Sequence, residues 1–394
     1  MTNNSESSYS NPCASLPGVR SARKSDLIAI AGPPSRAWLT WLRDAWDAGA
    51  AVLPIDHRLT RGEQDALIAR ARPTALFDGA QLLRIDGVPI DDDVALVVST
   101  SGSSAEPKAA ELTHDALRAA VLSSAERLGV DASDPWASCL PVAHMGGMLV
   151  LLRGLIMGAP IEVQAHFDPV GLARSGASCT SVVPTMVARI HSAGETLSRF
   201  KVVLVGGAAL GDEMRVPPLV STYGMTESCG GVVYDGHALD GVGVRIGAED
   251  EIQLSGPTIM RGYRLSSSQP FTDDGWLRTR DAGALVDGVL TVFGRLDDVI
   301  VTGGEKVWPQ EVEDVLRAHP AVADVAVVGR PDPEWGSAVT ALVVAADPAE
   351  PPSADALRAF AAERLAKFKA PRALEIVSSI PRTASGKIAR RAVG

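Results

Sequence analysis

From Asp26 onward the chain alternates short β-branched or small apolar runs with amphipathic segments, and no other feature restricts its possible folds so strongly. Leu27–Ala31 reads as a strand, and the spacing of Trp38, Trp41, Leu42, Ala45 and Trp46 keeps one helical face apolar. Residues 51–54 read as a second strand and residues 62–70 as a second helix. Residues 94–98 are uniformly small and apolar, as in a strand buried on both faces, and run straight into a Ser/Gly loop. Beyond that loop Thr113 can N-cap a helix reaching Leu128, and further strands are expected at 161–164, 181–183 and Val202–Val205. Repeated strand–helix alternation predicts an α/β core with mainly parallel sheets.

The pattern changes near Gly294. A helix over 309–318, strands over 322–328 and 340–344, an Ala-rich helix over 354–367 and a strand over 374–377 describe a second unit. It is an α+β unit of about 100 residues, large enough to be a domain. The expected organisation is a disordered polar tail over 1–24, a large domain over 25–295 and a small C-terminal domain over 298–394.

A net charge of −10 argues against general nucleic-acid binding, which needs a broad positive field, but not against a nucleotide held by a local cluster of donors. Cys13, Cys139, Cys179 and Cys229 are scattered, without metal-ligand spacing, and read as free thiols in a reducing compartment. The N-terminal stretch lacks the apolar core of a secretory signal. The most apolar run, residues 145–157, is too short for a bilayer and contains Arg153. A cytoplasmic location without membrane insertion is expected.

The segment Ser99-Thr100-Ser101-Gly102-Ser103-Ser104-Ala105-Glu106-Pro107-Lys108 suits a phosphate cradle. Its Gly lets backbone N–H groups converge, its hydroxyls donate, and Lys108 supplies counter-charge. By composition alone a Ser-rich surface turn fits equally well, and the spacing is not that of a Walker A loop. The loop resembles the Ser/Thr-Gly-Ser/Thr-Ser/Thr-Gly-x-Pro-Lys-Gly signature of the acyl-adenylate-forming superfamily, whose members include acyl-CoA synthetases. Ala105 and Ala109 replace two of its glycines, which would stiffen a loop expected to move over ATP.

Further stretches match in the family's order. Val205-Gly206-Gly207-Ala208-Ala209 resembles the loop whose backbone lies against adenine. Tyr223-Gly224-Met225-Thr226-Glu227 matches Tyr-Gly-x-Thr-Glu, which implies that Tyr223 stacks on adenine, Thr226 contacts phosphate and Glu227 holds Mg²⁺. A π-face suits a purine and a carboxylate oxygen suits a hard cation. Asp274-Gly275-Trp276-Leu277-Arg278-Thr279-Arg280-Asp281 is similar to Asp-Gly-Trp-x-x-Thr-Gly-Asp, with Arg280 in place of Gly. The likeness implies that Asp281 accepts from the ribose hydroxyls. Gly294-Arg295-Leu296-Asp297-Asp298 matches Gly-Arg-x-Asp-Asp, which implies that Arg295 reaches the nucleotide and that Asp297 is a hinge.

In the small domain, Gly303-Gly304-Glu305-Lys306-Val307-Trp308-Pro309 resembles a loop that enters the site for thioester formation, where Gly304 leaves room for a pantetheine arm. Pro381-Arg382-Thr383-Ala384-Ser385-Gly386-Lys387 resembles the loop whose lysine, here Lys387, bridges carboxylate and α-phosphate. Two duties on one small domain imply that it is mobile and rotates between half-reactions.

Pro141-Val142-Ala143-His144-Met145-Gly146-Gly147 resembles the family's Pro-x-x-His-x-x-Gly, where the histidine lines the acyl site; taken alone, His144 reads as a packed core residue. Gly146, Gly147, Gly230 and Gly231 would leave room for a ring. Arg153 either pairs with a second substrate carboxylate or serves only its own helix and neighbours. The short chain and the run from Tyr223 to Val242 resemble most the o-succinylbenzoate–CoA ligases of menaquinone biosynthesis. The resemblance implies an acid–CoA ligase using ATP, Mg²⁺ and coenzyme A on a small carboxylic acid. Another aryl- or acyl-CoA synthetase, an adenylation enzyme loading a carrier protein and a non-catalytic relative stay open, as does homodimerisation.

Overall fold

The computed structural model describes residues 19–100, 108–207, 216–382 and 388–393. The large domain contains two seven-stranded sheets. In the first, Leu27–Ala31 lies between Ala51–Ile55 and Ala75–Phe77, parallel to both, and Val94–Ser99 continues the parallel set. Antiparallel strands close its edges: Leu82–Arg84 at one end, Ala109–Thr113 and then Gly262–Tyr263 at the other. In the second, Ile161–Val163, Trp136–Ser138, Cys179–Val182, Val202–Val205 and Leu219–Met225 run parallel in that order, and Gly230–Tyr234 turns back beside the last.

Helices Ala37–Asp47, His114–Leu128 and Met145–Ile156 share one core with both sheets and lie between them. This explains the apolar run at 145–157: Met148, Val150, Leu151 and Leu152 are fully buried at the centre of the domain. Thr113 caps its helix as expected, accepting from Ala116 N–H at 3.1 Å, and Gly129 ends that helix in the left-handed conformation. Helix Arg61–Ala71 covers the outer face of the first sheet, while Pro169–Ala173 and Pro184–Ser192 cover that of the second. Parallel strands are thus buried on both faces.

A third sheet, Gly243–Ile246, Glu251–Ser255, Leu277–Val286 and Val289–Arg295, is wholly antiparallel. Its last hairpin turns on Asp287-Gly288, both at positive φ, a two-residue signal that helix–strand alternation does not reveal. In the small domain Val322–Asp332, Gly336–Ala345 and Ala373–Ile376 form a sheet packed against Pro309–Arg317 and Ala354–Ala362. The Ala-rich helix stops at Ala362 rather than reaching 367, where Lys367–Lys369 forms a separate 3₁₀ turn. Within the stretch expected to be a tail over 1–24, Val19–Ser21 is a 3₁₀ turn and the Val19 side chain is buried in the core. Residues 1–18, and Cys13 with them, lie outside the described residues. No helix among the described residues is long and apolar enough to cross a membrane.

The small domain is tied together by a buried ion pair. Glu313 is fully buried; it accepts from Arg390 Nη2 at 2.9 Å and from Val327 N–H at 2.7 Å, while Arg390 also reaches Asp298 at 3.2 Å. Arg390→Ala would leave that carboxylate buried without its cation and should lower unfolding free energy by about 3–5 kcal/mol. Arg390→Ala/Glu313→Gln, which removes the charge but keeps an acceptor for Val327, should regain part of the loss, as read by denaturant titration.

Candidate active site

An open cleft of about 2720 Å³ runs between the carboxyl ends of the parallel strands, the third sheet and the small domain. Strand Val94–Ser99 delivers Thr100, Val202–Val205 delivers Gly206 and Gly207, and Leu219–Met225 delivers Thr226 and Glu227 to its rim. Open α/β sheets bind ligands at this edge, because strand ends there free backbone groups for a ligand.

Thr100 and Lys108 close the base of the phosphate loop: Thr100 N–H donates to Lys108 C=O at 2.8 Å, and Lys108 N–H to Thr100 Oγ1 at 3.3 Å. Lys108 keeps its ammonium clear of carboxylates among the described residues and sits 4.5 Å from the centroid of the Tyr263 ring. Ala109, one of the two glycine replacements, belongs to a regular strand and is paired with Ser99. Ser101, Gly102, Ser103, Ser104, Ala105, Ala208 and Lys387 lie outside the described residues. Gly206 is required by close packing, since a Cβ there would meet Thr222 Oγ1 at 2.7 Å.

Tyr223 donates its hydroxyl to Asp281 Oδ2 at 3.0 Å, and Arg295 Nη1 donates to Asp281 Oδ1 at 3.1 Å. Burial, with the Asp281 charge beside it, holds the Tyr223 phenol well above its ordinary pKa and therefore neutral. Asp281 and Arg295 are register partners on the third sheet, so one antiparallel ladder fixes both. Arg295 Nε is buried without an acceptor among the described residues. Glu227 is buried in the 3₁₀ turn Thr226–Ser228 and accepts from Tyr263 Oη at 2.7 Å. Gly224 can only be glycine: a Cβ would stand 1.9 Å from Gly230 C=O.

His144 precedes helix Met145–Ile156 and lines the cleft, its Nε2 3.4 Å from Asp56 Oδ2. That separation is an ion-pair distance without hydrogen-bond geometry, since Nε2 has no hydrogen-bond partner. Asp56 is buried and gripped by Arg58, whose Nη2 lies 2.6 Å away; burial would raise its carboxyl, but the Arg58 hydrogen bonds and charge, with the His144 ring beside it, hold it far below the usual range. Asp56, Arg58 and Tyr263 lie outside the motifs that mark the site in the sequence. A charged pair directly after a buried strand was the available signal for the first two.

Several expectations need correcting. Arg153 is fully buried, donating to Leu149 C=O at 3.0 Å and Ser124 Oγ at 2.8 Å with its guanidinium 4.0 Å from the Trp136 ring. It lines the cleft, and its two terminal nitrogens brace helix Met145–Ile156 against its neighbours, while Nε has no acceptor among the described residues. Gly146, Gly230 and Gly231 line the cleft, and Gly147 does not. A Cβ on Gly147 would meet Pro141 C=O at 2.4 Å, one on Gly230 Leu149 Cδ1 at 2.6 Å, and one on Gly231 Thr222 Cβ at 3.1 Å, so they permit close packing. Gly146 comes nearest to the expectation, facing Leu140 Cδ1 at 3.0 Å and Ser181 Oγ. Gly304 is exposed at φ +87° and absent from the cleft wall, whereas Arg382 and Ile388, which flank the Lys387 loop, line it. Asp297 lies in the 3₁₀ turn Leu296–Asp298, ion-paired with Arg280, which occupies the family's glycine position at φ +59°.

Burial raises the thiols of Cys139, to about 12, and of Cys179 and Cys229, so the described cysteines are inert at neutral pH. Among the described residues no cluster of three or more His, Cys, Asp or Glu could enclose a metal. Glu227 offers a single hard oxygen to the cleft, which suits a cation arriving on phosphates.

Comparison with known proteins places these features in a family. Residues 84–264 match the AMP-binding enzyme family and residues 311–387 the AMP-binding enzyme C-terminal domain. A Mycobacterium tuberculosis protein named as a probable 2-succinylbenzoate–CoA ligase is 42% identical over 374 residues, covering 89% of this chain and 96% of its own. The o-succinylbenzoate CoA synthetase of Bacillus subtilis, solved with its acyl-adenylate intermediate, superposes with TM-score 0.83 at 27% identity over 94% of this chain and 88% of its own. The same enzyme solved with ATP and magnesium ion gives TM-score 0.82 at 26% identity over 94% and 89%.

Arg153→Ala removes a large buried side chain and should lower unfolding free energy by about 2–4 kcal/mol. It should leave the ratio of KM values for a dicarboxylic and a monocarboxylic aryl acid unchanged within about twofold, because two of its guanidinium nitrogens already donate to Leu149 and Ser124. Steady-state kinetics on both acids checks this.

Proposed function

Because the chain belongs to the AMP-binding enzyme family and is an ATP-dependent, AMP-forming acid–CoA ligase, we propose that its acid is 2-succinylbenzoate, which would make it a ligase of menaquinone biosynthesis. The observation that carries the choice is the near-full-length likeness at 42% identity to a protein named for that substrate. A second carboxylate needs a counter-charge at the acyl end of the cleft, since an unpaired anion there is costly. Arg153 is engaged elsewhere. Arg189, exposed on helix Pro184–Ser192, lines the same cleft, rests on the Phe167 ring at 5.0 Å and has no carboxylate partner among the described residues.

In the first half-reaction one carboxylate oxygen attacks the α-phosphorus of ATP; the P–O bond to pyrophosphate breaks and an acyl-adenylate forms. Tyr223 flanks adenine, its ring held by the Asp281 hydrogen bond, and Asp281 with Arg295 takes the ribose. Lys108, Thr226 and the loop that includes Ser101 to Ser104 surround the phosphates, and Lys387 meets the charge developing between carboxylate and α-phosphate. Mg²⁺ bound with ATP supplies charge neutralisation, and Glu227 holds it. In the second half-reaction the thiol sulfur of coenzyme A attacks the acyl carbonyl, AMP leaves with the bonding electron pair, and the thiol proton goes to solvent. The cleft wall here carries the flanks of the Lys387 loop, so Gly304 reaches the site only after the small domain turns about Asp297.

The acid is tested by pyrophosphate release across a panel of aryl mono- and dicarboxylic acids, with coenzyme A and a carrier protein compared as acceptors. 2-Succinylbenzoate should give the highest kcat/KM, and Arg189→Leu should raise its KM about tenfold while changing that of benzoate less than twofold. Preference for a monocarboxylate would point instead to another aryl-CoA synthetase.

Single-turnover assays of each step test the rotation. Lys387→Ala should slow adenylation by about 10²–10³ yet convert supplied acyl-adenylate to thioester at a near-normal rate. Gly304→Leu should do the reverse, by filling the pantetheine path. Equal slowing of both steps by both variants would exclude two domain orientations.

A further inference from the structure

Tyr263 is the one side chain among the described residues that touches both cationic and anionic groups at the phosphate end of the cleft. Strand Gly262–Tyr263 adds to the edge of the first sheet, pairing with Glu111 and Ala110 just after the phosphate loop returns. That register sets the phenol ring 4.5 Å from Lys108 Nζ and its hydroxyl 2.7 Å from Glu227 Oε1. Glu227 belongs to the second sheet's last parallel strand end, and Met260 N–H donates to its backbone oxygen at 2.8 Å. Residues 260–263 therefore join the phosphate-loop strand of one sheet to the Glu227 turn of the other.

We propose that Tyr263 is a positioning residue for adenylation, orienting the Glu227 carboxylate through its hydroxyl and the Lys108 ammonium through its ring. This rests on the reading of Glu227 as the carboxylate that receives Mg²⁺ with ATP. Glu227 is buried and has one oxygen occupied by Tyr263; the other has no donor among the described residues, and the residue lines the cleft. A hydrogen bond to one oxygen of a carboxylate locks its torsion and aims the second oxygen outward, where a hard cation on a triphosphate would meet it. The ring performs a separate task. A lysine on a flexible stem loses less freedom on meeting phosphate when an aromatic face already confines its ammonium.

The two tasks separate by substitution. Tyr263→Phe keeps the ring and loses the hydroxyl, whereas Tyr263→Leu loses both. Calorimetry with α,β-methylene-ATP, titrated at several Mg²⁺ concentrations, reads binding without turnover. For Tyr263→Phe the Mg²⁺ concentration giving half-maximal analogue binding should rise about tenfold, while binding at saturating Mg²⁺ stays near wild type. Its adenylation rate should fall about tenfold, and thioester formation from supplied acyl-adenylate should stay within twofold. Tyr263→Leu should in addition weaken analogue binding about fivefold at saturating Mg²⁺. A Tyr263→Phe protein with wild-type Mg²⁺ dependence would overturn the proposal. Glu227→Gln, measured alongside, distinguishes the failures: if it too leaves Mg²⁺ dependence unchanged, the assignment of Glu227 falls and the proposal with it. If only Glu227→Gln shifts the dependence, the role of Tyr263 alone is refuted.

Discussion

Parallel strands buried on both faces can offer ligand-binding groups only at their ends, and the active cleft follows from that constraint. Helices Ala37–Asp47, His114–Leu128 and Met145–Ile156 fill the space between the two large sheets, and other helices cover the outer faces. No polar group need then approach the middle of a strand. The carboxyl ends at Thr100, Gly206 and Thr226 share one rim, so residues distant in the chain converge without any loop having to be long.

Antiparallel pairing does the finer positioning. Asp281 and Arg295 face each other across one ladder and grip Tyr223, while Gly262–Tyr263 returns to the first sheet's edge and carries a phenol to Glu227. Strands of this kind hold side chains to fixed register, and preorganised donors act on a developing charge without reorganising. The small domain contributes the Arg382 and Ile388 flanks of its C-terminal loop to the same cleft. Between the two domains the Trp308 ring lies 6.1 Å from that of Phe293.

Arg280 shows how a departure from the family pattern is accommodated. A non-glycine residue at φ +59° costs about 1 kcal/mol, and its ion pair with Asp297, being largely exposed, returns a comparable amount. The nucleotide strand and the hinge turn are thereby linked side chain to side chain.

The sequence by itself determined the strand–helix alternation, the Thr113 cap and the order of the nucleotide motifs, because each depends on short-range periodicity or on a run of a few residues. It carried the identities of Tyr223, Glu227, Asp281 and Arg295 for the same reason. Only the tertiary structure decided what those residues touch. For Arg153 the sequence left two readings open, a pocket cation or a partner of its own helix, and only the structure shows it bonded to Leu149 and Ser124 and set over the Trp136 ring. Gly147, Gly230 and Gly231 read as room for a ring, yet a Cβ on any of them would meet atoms already close by. Tyr263 lies 36 residues from Glu227, and Asp56 is farther still from His144. Contacts across such distances arise from the pairing of sheet edges and the stacking of layers, which no local pattern records.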